Sequence, residues 1–131
     1  GRVQVSVGGW GDEFAGQPVP IDGTLEFFGR YQAHDAVAVV KFGNENRLIL
    51  TPVLHQVTDP GILRGLKIPL EACDLIMIKS RVHFWRGFVE DAVANAVVVI
   101  DAPGLGPADL SGVPYKNAPV KDLFPLGRKG E

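Results

Sequence analysis

The sequence predicts a mixed α/β (α+β) fold in a single compact domain, with N-terminal antiparallel strands and a hairpin followed by a C-terminal βαβ unit. Three observations carry this reading. Val3-Gln4-Val5-Ser6-Val7 alternates apolar and polar residues before Gly8-Gly9, the pattern of a strand with one covered face. Ala36 to Phe42 and Arg47 to Pro52 flank Gly43-Asn44-Glu45-Asn46, a sequence suited to the positive φ angles of a hairpin turn. Finally, the apolar runs Asp74 to Ile78 and Ala96 to Ile100 are separated by a stretch with helical apolar spacing, as in a strand, crossover helix and parallel strand.

Taken in order, the first strand gives way to Gly8 to Pro20, rich in glycine and proline around Trp10, Asp12, Glu13 and Phe14. Such a composition favours turns, so this segment is expected to be a functional or connecting loop. Thr24 to Phe28 resumes a strand, and the hairpin follows. Beyond Pro52, Asp59 is placed to cap a short helix over Gly61 to Leu66, with Pro60 at its first position. In the βαβ unit, Val82, Trp85, Val89, Ala92 and Val93 fall on one helical stripe, whereas Arg86 and Glu90 lie off it. Ser80 is a natural N-cap for this helix, and His83 falls on its polar side.

Composition narrows the function classes. Of 131 residues, 46% are hydrophobic, yet no unbroken apolar run reaches the ~18 residues that a membrane-spanning helix needs. The N-terminus also lacks the charged and apolar regions of a signal peptide, so the expectation is a soluble cytoplasmic protein with no membrane partner. Thirteen basic residues against fifteen acidic ones give no clustered positive charge of the kind that nucleic acid demands. The lone Cys73 excludes an internal disulfide and is expected to be a buried, inert thiol.

Chemistry is concentrated in Lys79-Ser80-Arg81-Val82-His83-Phe84, where the first apolar run passes into the helical stretch. Strand ends of α/β folds commonly meet ligands, and a helix start favours an anion and a neutral imidazole. Asp101, at the end of the second apolar run, would lie nearby if the two strands were neighbours. Plainer readings stand beside these: Lys79 and Asp101 as an exposed ion pair, Ser80 as a cap only. His55, and His34 in an expected turn with Asp35, read as solvated or locally hydrogen-bonded, not as ligands. No HExxH, GxSxG or phosphate-binding glycine loop occurs.

These residues resemble a known family. The run from Lys79 to Phe88, then Val97 to Gly104, then Asp109 to Tyr115 and Leu123 to Leu126, resembles the C-terminal domain of the microcystinase C (MlrC-type) zinc metallopeptidases, which shows a K-S-x-x-H-F element, a V-D-x-P-G strand end and a closing L-P-Y…P-L pattern in that order. Looser likeness covers the Gly8 to Pro18 loop, Gly23-Thr24-Leu25 and the segment of Leu50-Thr51, Gln56 and Asp59-Pro60. The resemblance implies a C-terminal domain, residues 1–131, of a longer enzyme that hydrolyses peptide or amide bonds. It implies that zinc belongs to an N-terminal metal-binding domain, in the same or a separate chain and absent from this sequence, with no cofactor held here.

On that reading the isolated chain is inactive and forms a wall of the substrate cleft. Lys79, His83, Asp101 and Ser80 are the candidates for contacting a peptide substrate, and Trp10, Asp12 and Phe14 rank lower as loop contacts. The alternative is a stand-alone, non-catalytic module that binds a small anionic ligand or a protein partner. A homo-oligomer is compatible with either.

Overall fold

The structure is a computed structural model and describes residues 1–9, 16–32, 34–53, 55–80, 82–100, 114–119 and 122. The chain forms two compact units, one of Gly1–Val7 with Pro18–Val98 and one of Gly8–Gln17 with Val99–Glu131. In the second unit, the Asp122 N–H closes a turn onto the Pro119 carbonyl at 2.9 Å. The first unit carries the sheet.

That sheet is a four-stranded antiparallel meander in the order β1-β2-β3-β4. Its strands are β1 (Arg2–Val7), β2 (Val19–Tyr31), β3 (His34–Phe42) and β4 (Asn46–Leu50). β1 shows the alternating exposure that its sequence pattern predicts. β2 is much longer than its apolar centre indicated, because it pairs with β1 on one side and β3 on the other. Its register slips between Leu25 and Phe27, leaving Glu26 as the extra residue of a bulge. From there the Glu26 carboxylate accepts hydrogen bonds from Arg47 of β4 at 2.8 and 3.2 Å.

The hairpin between β3 and β4 is where the sequence placed it. Phe42 pairs with Asn46, and the loop residues Gly43 and Glu45 take φ of 54° and 70°. That left-handed region is why glycine opens the turn. Lys41 pairs with Glu45, and Arg2 pairs with Asp22 through bonds of 2.9 and 2.8 Å, so the strand surface is laced with opposite charges.

The core centres on β3. Val37, Val39 and Val40 are at most 2% exposed, and burial of the neighbours Val39 and Val40 means that both faces of β3 are covered there, since successive side chains point to opposite sides. Pro60, Ile62, Ile68, Gly87 and Phe88 are buried as well, together with the polar His34. The short helix α1 (Gly61–Gly65) begins beyond Asp59 and Pro60. The Asp59 carboxylate accepts the Gly61 N–H at 2.7 Å, and the Pro60 carbonyl accepts the first helical bond from Arg64. The cap position is Pro60, so Asp59 acts one residue before the cap, where the sequence reading made it the cap itself. Tyr31 ties this helix to β2 by donating its hydroxyl to the Gly61 carbonyl at 3.2 Å.

The mixed α/β class holds, but the C-terminal half differs from a βαβ unit. Among the described residues, the apolar runs 74–78 and 96–100 belong to no strand ladder. Leu75, Met77, Val98 and Ile100 are each more than 70% exposed, so neither run is the buried parallel strand that its composition indicated. The helix between them is a six-residue π turn over Trp85–Glu90 with Phe84 as its N-cap. Bonding at i→i+5 breaks the 3.6-residue phase used to place the apolar stripe. Consequently Val82 and Trp85 are exposed, and the inward residues are Gly87 and Phe88. Ala92 at φ 55° terminates the turn, and the Ala94 N–H returns to the Phe88 carbonyl at 2.7 Å. Among the described residues no helix is long and apolar enough to cross a membrane.

Candidate functional site

Exposure alternates along Leu75 to Ser80, with Ile76, Ile78 and Ser80 half-buried and Leu75, Met77 and Lys79 exposed. Adjacent residues of such a segment face opposite ways. Lys79 therefore projects to solvent, whereas Ser80 turns inward, and its Oγ is buried with no hydrogen-bond partner among the described residues. Ser80 is not the N-cap: that position is Phe84, which makes no side-chain cap bond. A turn of only six residues also aligns few peptide dipoles, so the anion-attracting helix start expected from sequence is not a feature of this segment.

His83 is exposed and lies outside the core, as its place off the apolar stripe indicated. Its ring is nevertheless held. Gln56 Nε2 lies 2.9 Å from His83 Nδ1, across 27 residues of sequence. Asp101, Trp10, Asp12 and Phe14 lie outside the described residues.

A second imidazole contact joins the same segment to the sheet. His34 is the first residue of β3, not part of a turn, and it is only 6% exposed. Its Nε2 lies 3.0 Å from His55 Nδ1, with the two rings edge to face at a centroid separation of 4.6 Å. His34 Nδ1 is buried and has no hydrogen-bond partner among the described residues. Neither histidine is therefore merely solvated or locally bonded, which corrects the sequence reading. Sequence reasoning missed this pair because nothing in the local pattern of either residue points to the other.

Cys73 is half-buried, and its thiol is directed at the Pro69 carbonyl at 3.4 Å, so it is less enclosed than its apolar neighbours indicated. A groove of about 550 Å³ on the sheet is lined by Arg2, Asp22, Glu26 and Lys41. These two cations and two carboxylates are already paired within the sheet, so the groove carries no excess charge for a ligand. Among the described residues, no three histidine, cysteine, aspartate or glutamate side chains converge on one point. That donor set does not fit the zinc that the resemblance implies for the parent enzyme.

Fold and site together define a small mixed α/β module built on an antiparallel meander, with an exposed imidazole positioned by an amide from a neighbouring segment. The chain matches the family model described as MlrC C-terminus over residues 1–117, and it belongs to that family. No curated protein and no solved structure matches it.

Proposed function

We propose that this module is the C-terminal domain of an MlrC-like zinc metallopeptidase, where it forms one wall of the substrate cleft and supports an N-terminal metal-binding domain. Membership of the MlrC C-terminus family is the observation that carries this reading. Within the cleft, His83 and Lys79 contact an anionic group of a peptide substrate or an oxygen on which charge develops. Both side chains are exposed, and the His83 ring is oriented before any ligand arrives. Preorganised donors of this kind stabilise a transition state without reorganising.

The exposed apolar side chains Leu75, Met77, Val82 and Val98 are the residues of this module that a partner domain would cover. Peptide cleavage belongs to the parent enzyme, and the isolated chain is inactive. The test joins this chain to the metal-binding domain and measures peptide cleavage. His83→Ala is expected to lower kcat/KM by about 100-fold, the lower end of the range for loss of one transition-state donor. An unchanged kcat/KM removes His83 from the cleft.

A further inference from the structure

The geometry points to Gln56 as the positioning residue that fixes the tautomer of His83, making the ring a hydrogen-bond donor through Nε2–H toward an oxygen acceptor on the ligand. The inference deepens the function proposed above and takes from it that His83 faces the cleft.

Gln56 Nε2 lies 2.9 Å from His83 Nδ1. An amide nitrogen donates and does not accept, so Nδ1 is the unprotonated nitrogen of the ring and the single proton resides on Nε2. A proton on Nδ1 would set one donor against another, so this bond selects the Nε2–H tautomer over the Nδ1–H tautomer. With its proton on Nε2, the ring exposes no lone pair there to take a proton or bind a metal ion. What it offers is one N–H, suited to a carbonyl or carboxylate oxygen. His83 is thereby a donor, as distinct from a general base or a metal ligand.

The backbone that carries the amide is held on both sides of it. On one side His55 is tied to the buried His34 of β3 at 3.0 Å. On the other, the Asp59 carboxylate holds the Gly61 N–H at 2.7 Å, and Gly87 packs against the Thr58 and Asp59 backbone. The 55–59 segment thus carries Gln56 on a fixed support and delivers its amide to the His83 ring.

The experiment is long-range ¹H–¹⁵N correlation NMR of the histidine rings in the labelled chain at about pH 8.5, where imidazoles are neutral. In the unmodified chain His83 is expected to be mainly the Nε2–H tautomer. Gln56→Leu removes the donor and shifts the ring toward a mixture of tautomers. Gln56→Glu puts a carboxylate there, which only accepts, and inverts the ring to Nδ1–H. The His34 and His55 signals report whether the fold is kept. A majority of Nδ1–H in the unmodified chain overturns the proposal, as does the same tautomer ratio in all three proteins. A role for Gln56 in packing alone would not invert the tautomer. The readout is the ring and not catalysis, so its failure is distinguishable from failure of the cleft assignment, which the kcat/KM of His83→Ala tests.

Discussion

His34 is the strongly buried polar side chain of the described core, and its two nitrogens have unequal fates: Nε2 meets His55, and Nδ1 meets no partner among the described residues. Leaving a buried polar atom unmatched costs about 1–3 kcal/mol, whereas an apolar replacement of similar shape costs little when no buried partner is left unmatched. His55→Ala would strand the second nitrogen of His34 as well, and we expect it to lower unfolding stability by about 1–3 kcal/mol. His34→Phe keeps the ring volume and removes the stranded atoms, and half-buried His55 is left able to reach water. Its cost should be the smaller of the two in urea denaturation, and the opposite order would mean that the imidazole pair does not anchor the 55–59 segment. Neither this pair nor the bond between Gln56 and His83 was legible in sequence. Their partners are 21 and 27 residues apart, and periodicity reports only on neighbours within a turn or two.

At the scale of elements, the meander was legible because each signal was local. Alternation along Val3 to Val7 and the left-handed turn at Gly43 are properties of a few consecutive residues. The βαβ expectation needed more than local pattern, since an apolar run becomes a strand only if another strand offers it a ladder. The stretch from Val82 to Val93 shows the same limit: its apolar residues fit a regular helix, yet a π turn brings Gly87 and Phe88 inward instead. Gly87 explains why this turn can lie on the 58–59 segment. A Cβ there would sit 2.6 Å from Asp59 Cα and 2.8 Å from the Thr58 carbonyl oxygen, both backbone atoms that yield little. Gly→Ala in an open helix stabilises by about 0.5–1 kcal/mol. Gly87→Ala should instead destabilise, by about 1–3 kcal/mol as overpacking does. Thermal or urea unfolding that shows a gain in stability would place the π turn away from Asp59.

As a whole, the chain carries a formal net charge of -2, and among the described residues the sheet pairs Arg2 with Asp22, Lys41 with Glu45 and Arg47 with Glu26. The Arg2 hydrogen bond holds the Asp22 carboxyl below its ordinary 3.8, and the Lys41 hydrogen bond holds the Glu45 carboxyl below its ordinary 4.5. Both therefore release a proton more readily folded than unfolded. Their contribution to stability is complete above those ordinary values and is lost as pH falls through the lower, folded ones. Stability measured by denaturant titration should accordingly fall on acidification below about pH 4.5. The double variant Asp22→Asn, Glu45→Gln should flatten that acid limb, while an unaltered acid slope would show that these exposed pairs do not bias folding.

The sequence by itself determined the mixed class, the four strands' approximate places and the hairpin turn, because hydrophobic period and turn chemistry are written in adjacent residues. It also carried the family pattern from Lys79 to Tyr115, which lies within the match to the MlrC C-terminus. The tertiary structure alone decided which polar groups meet: His34 with His55, Gln56 with His83, Glu26 with Arg47. It also decided that Leu75, Met77 and Val98 are exposed and not packed in a parallel strand pair. Such contacts depend on where distant segments cross, which is fixed by packing and ladder pairing and leaves no periodic trace along the chain.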